Sequence, residues 1–316
     1  MALPATQRGG ARPSAAASAA AAAARQSANA PTTGERLTAL AKTAQFYWWV
    51  GHLVVLSFGL TYYMKRLLFS GGANWYYSQA YLGALTSYAI VIYKTYGPPQ
   101  ANLAFMQRLL VDENVEYLML ATYWYWNSPV FVTLVPFVVF SLFHVITYTR
   151  SVAIPLFFPE VTGEIQRARQ AESTAGGSAA GGVLMSVPAR ASKYMGDWSS
   201  RYYSPALREV GVWEVAVIGV WLVVGALTLQ SPFLAPVFYV QFLRMRYALS
   251  APTRAAFRRV RIWLDKLLTP PQASPHVPGV VTDSYVKGRD YLVQLGNAMV
   301  NPAVPQQQQQ QQQQRQ

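Results

Sequence analysis

"AQFYWWVGHLVVLSFGLTYY", Ala44–Tyr63, is the stretch whose reading decides the fold class. Its 20 residues carry no formal charge. As a helix they reach about 30 Å, the thickness of bilayer hydrocarbon. Tyr47, Trp48 and Trp49 at one end, and Tyr62 and Tyr63 at the other, sit where interfacial aromatics belong. Lys65 and Arg66 follow at once. Trp75–Tyr93 repeats the pattern, uncharged and aromatic at both ends. Two such stretches in succession point to integral membrane helices rather than to buried helices of a soluble protein.

Bulk composition agrees. Of 316 residues, 52% are hydrophobic and only 12% charged, against about 25% charged in soluble domains. The formal charge is +13, which calls for an anionic partner. The absence of cysteine excludes disulfides, thiol catalysis and cysteine metal sites. His52, His144 and His276 are scattered, so no zinc site is expected. No Gly-rich phosphate loop, HExxH or GxSxG occurs, and neither catalysis nor a cofactor is expected.

Beyond Gly97 the pattern changes. Asn102–Leu110 is short and amphipathic, suited to the interface. Asp112, Glu113 and Glu116 are costly in hydrocarbon and read as interfacial caps at a helix start. Val115–Trp126 is too short to cross comfortably, Asn127-Ser128-Pro129 is a breaker, and Pro129–Tyr148 is a full apolar segment with Pro136 inside it. Val212–Leu229, the break Gln230–Pro232 and the limb Phe233–Leu243 repeat this plan with the lengths reversed. Either the long segments are simple third and fourth spans, or each long–short pair is a helical hairpin that enters and leaves on one side. Four simple spans divide the Lys and Arg residues 17 against 9; two spans with two hairpins divide them 24 against 2, leaving only Lys65 and Arg66 on the far side. Positive charge collects on the cytoplasmic side, which favours the hairpins. The expected fold is an all-α integral membrane protein with two spans plus two helical hairpins, four spans being the alternative, and a C-terminal amphipathic helix.

The expected organisation is a disordered Ala/Ser-rich arm over 1–37 and a membrane domain over 38–249. Its apolar segments are 44–63, 75–93, 115–148 and 212–243, with a flexible insertion at 171–183. A basic amphipathic helix follows over 250–268. The tail 269–316 reads as mostly disordered, with Gln306–Gln314 in it and Asp283–Val300 able to form one amphipathic helix. In the basic helix Ala256, Phe257, Val260, Trp263, Leu264, Leu267 and Leu268 share one arc, and Arg254, Arg258, Arg259, Arg261, Asp265 and Lys266 the other. Ile262 falls among the cations and spoils the separation. This is the composition of an in-plane membrane helix whose partner is a phospholipid bilayer, with no nucleic acid. An intramembrane histidine is a functional candidate by default, so a transporter or channel using His144 and nearby carboxylates stands as the alternative.

The motifs have a familiar order. "LLVDENVEYLML" (Leu109–Leu120), "NSPVFVTLVPFVVFSLFHVITYTR" (Asn127–Arg150) and "PVFYVQFLRMRY" (Pro236–Tyr247) resemble the transmembrane protein 33 family, which includes the fungal Pom-type pore-membrane nucleoporins. Asn114, Tyr117, Pro136, His144, Tyr148, Arg246 and Tyr247 carry the likeness most specifically, and it covers Thr38–Leu268. The family often has a histidine where Glu116 stands. The resemblance implies an endoplasmic reticulum and nuclear envelope protein without known catalysis. It also implies association with reticulon-type curvature proteins and nuclear pore components, and a basic C-terminal region that binds membrane and an import receptor.

Overall fold

The structure, a computed structural model, describes residues 32–174, 185–229, 232–273 and 276–300. All regular elements among the described residues are helical. The chain divides into two compact units, the first ending at Thr43 and the second beginning at Ala44. The first contains α1 (Thr33–Ala41). A capping box starts it: Glu35 N–H donates to Thr32 Oγ1 (3.3 Å), and Thr32 N–H donates to Glu35 Oε2 (2.7 Å). Residues 33–37, assigned above to a disordered arm, are therefore helical; 1–31 lie outside the described residues.

The second unit begins with α2 (Ala44–Leu67) and α3 (Ala73–Tyr96), 24 residues each, joined at Gly72 with φ 73°. Small residues let them touch. A Cβ on Gly83 would lie 2.6 Å from the Gly51 carbonyl oxygen, and Ser87 Oγ donates to the Trp48 carbonyl at 3.0 Å. The short α4 (Leu103–Leu110) starts at Asn102, whose side chain accepts from Phe105 N–H. In α5 (Glu113–Trp126) Asp112 is the N-cap, accepting from Asn114 and Val115 N–H. After the break a 3₁₀ turn (Phe131–Leu134) leads into α6 (Val135–Tyr148). Pro136 thus falls in the first turn of a helix, where its missing N–H has no partner to lose.

Helix continues past Arg150 through a π turn (Thr149–Ala153) into α7 (Ile154–Phe157). The polar stretch that follows is more ordered than its composition suggests. It holds α8 (Val161–Thr174) and α9 (Val187–Val212), the latter running on through a π turn (Trp213–Ile218) into α10 (Gly219–Leu227). Residues 171–174 of the expected flexible insertion close α8, and 175–183 lie outside the described residues, as do Gln230 and Ser231 of the second break. The chain ends in α11 (Leu234–Leu249), α12 (Ala251–Leu268) and α13 (Gly279–Val300), the last a 22-residue helix within the tail read as mostly disordered. Gln306–Gln314 lie outside the described residues. The continuous helical stretches Phe131–Phe157 and Val187–Leu227 are long and apolar enough to cross a membrane.

Side-chain contacts give the direction of every limb. At the near end, where α2 starts, Trp49 stacks on Tyr148 (5.0 Å) and Tyr96 OH donates to Asp112 (2.8 Å). At the far end Tyr62 packs on Tyr77 (5.2 Å), Val130 N–H donates to Tyr77 OH (3.4 Å) and Tyr63 OH donates to the Phe131 carbonyl (3.0 Å). So α5 leaves the near end and α6 returns to it. Similarly, α9 runs against α6, with Trp198 stacked on Phe143 and Trp213 Nε1–H donating to the Val132 carbonyl (2.9 Å). Going back, α11 passes Tyr123 at Phe238 and reaches Glu113 at Arg246. Four simple spans require Pro129–Tyr148 to run parallel to α2. It runs antiparallel to α2, with α5 as the intervening limb.

Candidate functional site

The first hairpin turns inside the helix packing, where each backbone group must find a partner. Aromatic side chains supply them. Tyr77 takes Val130 N–H, Tyr63 donates to the Phe131 carbonyl and Trp213 to the Val132 carbonyl. Thr133 collects the centre. Its Oγ1 donates to the Val130 carbonyl (2.9 Å), accepts from Tyr81 OH (3.0 Å) and lies 2.9 Å from Tyr77 OH. Tyr77, Tyr81 and Thr133 are fully buried. Much of the tyrosine content therefore serves the interior, beyond the interfacial belts the sequence suggests.

A second cluster joins both hairpins. Arg246 of α11, 5% exposed, lies 2.9 Å from Glu113 Oε1 and 3.7 Å from Glu116 Oε2, with its guanidinium over the Tyr117 ring (5.1 Å). Tyr117 OH donates to Glu214 Oε1 (2.8 Å), and Tyr239 OH donates to the Glu214 carbonyl (2.9 Å) in the π turn. Glu116 and Glu214 are 1% and 3% exposed. Glu116 is thus no interfacial cap, contrary to the sequence expectation; only Asp112 caps the helix. Arginine keeps its charge, and Arg246 faces one buried carboxyl group, Glu116, and one half-exposed, Glu113. The arrangement clasps α5, α11 and the 213–218 turn. It brings Tyr117 and Arg246 together, whereas the Asn114 side chain donates to the cap residue Asp112 (3.1 Å).

His144 lies elsewhere. Its ring packs at 5.0 Å on Trp48 and at 4.5 Å on His52, whose Nδ1 is 2.9 Å from Ser141 Oγ. A transport path through His144 needs a carboxylate in a shared polar cavity; among the described residues its surroundings are aromatic rings, and the buried carboxyl groups pair with Arg246 and Tyr117 instead. Tyr148 joins the same group through Trp48 (6.4 Å). The signal for the clasp was present in "PVFYVQFLRMRY": Tyr239, Phe242, Leu243 and Arg246 share one helical face, and all four are buried.

The basic helix α12 lies against α9, α11 and α13. Ala256 is buried, and Phe257 packs edge-on to Tyr247 (5.2 Å). Phe257 and Leu264 are half-buried, facing α13. Trp263, Leu267 and Ile262 point outward, 61%, 50% and 44% exposed. The apolar arc is therefore split. Half covers protein, and the outward remainder includes Ile262 alongside exposed Arg258, Arg259 and Lys266. Ile262 belongs to that outward face, so it is not misplaced. Arg254 donates to the Tyr247 and Ala248 carbonyls (3.1 Å each) and ends α11; Arg259 pairs with Glu209 (2.9 Å) and Arg261 with Asp265 (4.0 Å). Asp265 also accepts from Tyr285 OH (2.8 Å) and Arg289 (3.0 Å), fastening α13 to α12. Burial raises the Asp265 pKa, but these two donors outweigh it and hold the carboxyl below its ordinary value. Burial and the neighbouring carboxylate push the Tyr285 hydroxyl up to about 12.

Comparison with known proteins gives concordant matches. Tetra-spanning protein 1 of Schizosaccharomyces pombe is 29% identical over 274 residues, covering 85% of this chain and 90% of its own. Nucleoporin POM33 of Chaetomium thermophilum is 30% identical over 258 residues, 78% of this chain and 86% of its own. The Pore membrane protein of 33 kDa of Saccharomyces cerevisiae is 27% identical over 256 residues, 77% and 81%. No solved structure matches. The family model described as Transmembrane protein 33/Nucleoporin POM33 matches residues 29–298, which include both hairpins, the clasp and α12, and this all-α membrane chain belongs to that family.

Proposed function

We propose that this protein resides in the endoplasmic reticulum and nuclear envelope membrane, where it bends the bilayer and assists nuclear pore complex assembly or distribution. It acts by insertion and recruitment rather than by chemistry. The observation that carries this reading is the direction of the limbs. Both hairpins open at the near end, where α12 also lies, while the far end holds the α2–α3 loop and the hairpin tips. The near end thus carries the open ends of both hairpins together with the in-plane helix α12, and extra bulk at one headgroup layer favours curved membrane. The names of two relatives, a nucleoporin and a pore membrane protein, support placement at the pore. The outward face of α12, with Ile262, Trp263 and Leu267 among cations, suits an anionic leaflet, and its cations suit an import receptor. Reticulon-type curvature proteins are natural partners for a wedge of this kind. Reconstitution tests the bending. Vesicle diameter should fall as the protein-to-lipid ratio rises, and an unchanged diameter at high protein loading would rule the wedge out.

A further inference from the structure

Between α12 and α13 lies a groove of about 710 Å³, within the range of roughly 300–1,000 Å³ typical of small-molecule sites. Val260, Leu264, Leu292 and Val293 give it an apolar floor. Arg254, Arg258, Arg261 and Arg289 stand around it. Val215 and Tyr247, from the two limbs of the second hairpin, also line it, so the groove adjoins the membrane segments. Asp265 and Asp290 offset part of the charge through Arg261 and Arg289. Arg254 donates from Nη1 to two backbone carbonyls, and among the described residues no carboxylate pairs with Arg258. The rim stays cationic over a hydrocarbon floor. A free phosphate matches only the rim, and a neutral acyl chain only the floor.

We infer that this groove holds one anionic phospholipid, its phosphate on Arg258 and the neighbouring arginines and an acyl chain along the floor. The site is distinct from the outward apolar residues of α12, because Trp263 and Leu267 do not line it, while Arg258 borders both. It fastens the α12–α13 pair to the leaflet by a single bound molecule rather than by adsorption.

Gly288 lines the groove, and nothing lies within 4 Å of where its Cβ would stand, so Gly288→Phe puts a ring into this space from an unobstructed Cβ. The test is native mass spectrometry of the full chain in mild detergent with phosphatidic acid or phosphatidylcholine. The wild type should retain one phosphatidic acid per chain in preference to phosphatidylcholine. Gly288→Phe should lower that occupancy at least about tenfold, and Arg258→Gln about fivefold. Trp263→Asp should weaken vesicle adsorption and keep the bound lipid, which separates this site from the surface reading above. Arg258 is exposed, so its substitution carries the test if Gly288→Phe lowers the melting temperature. Equal occupancy by phosphatidylcholine, undiminished binding in both variants, or displacement by inorganic phosphate alone would overturn the assignment.

Discussion

Arg246 is the residue on which the clasp depends. Removing one partner of a buried ion pair leaves an uncompensated charge, which costs roughly 3–5 kcal/mol. Arg246→Met should therefore destabilise the protein by about that amount in detergent unfolding, and Glu116→Gln added to it should restore part of the loss. A strictly additive double variant would contradict the coupling. Thr133 presents a parallel case without charge. Thr133→Val removes the acceptor of the buried Tyr81 hydroxyl, at about 1–3 kcal/mol for a group left unsatisfied, while Tyr77 keeps Val130 N–H and the Val130 carbonyl keeps Thr133 N–H. The melting temperature should drop, whereas Thr133→Ser should remain close to the wild type. Legibility at this scale depended on the neighbours. Asp112 reads correctly as a cap because its partners are two and three residues away. Glu116 does not, because its partner Arg246 comes 130 positions later and only packing brings the two together.

At the scale of elements, α12 and α13 form a unit held by Asp265. Its folded-state pKa is depressed, so its contribution is present above the ordinary value of 3.8 and is lost as pH falls below it. Tyr285 has a raised pKa, so its contribution is complete below 10.0 and is lost as pH rises toward 12. Protection factors for hydrogen exchange in α13 should be highest between these limits, and Asp265→Asn should lower them at neutral pH. The outward face gives a separate prediction: Trp263→Asp with Leu267→Asp should abolish flotation of the full chain with anionic liposomes. Helix existence and period were legible throughout the apolar stretches. The boundaries were not, because α2 and α3 carry their helices into charged ends, and α9 continues an apolar segment backward through residues that read as a polar loop. Ile262 looked misplaced only while one continuous apolar arc was assumed; contact with α13 splits that arc.

For the whole molecule, the central claim is that the chain crosses with α2 and α3 and then sends two hairpins in from the near end. Composition and cation counting already favoured this, since only Lys65 and Arg66 fall on the far side. What the sequence lacked was the relative direction of α6 and α2, a tertiary fact carried by Trp49 on Tyr148 and Tyr63 on Phe131. The natural chain has no cysteine, so single thiols report topology without background. Ser173→Cys in α8 and Gly71→Cys in the α2–α3 loop, treated with a membrane-impermeant maleimide on sealed microsomes, test the claim directly. Two spans with two hairpins predict that Ser173→Cys reacts in intact vesicles and Gly71→Cys only after permeabilisation. Protection of both until the membrane is opened would contradict it and return the chain to four simple spans.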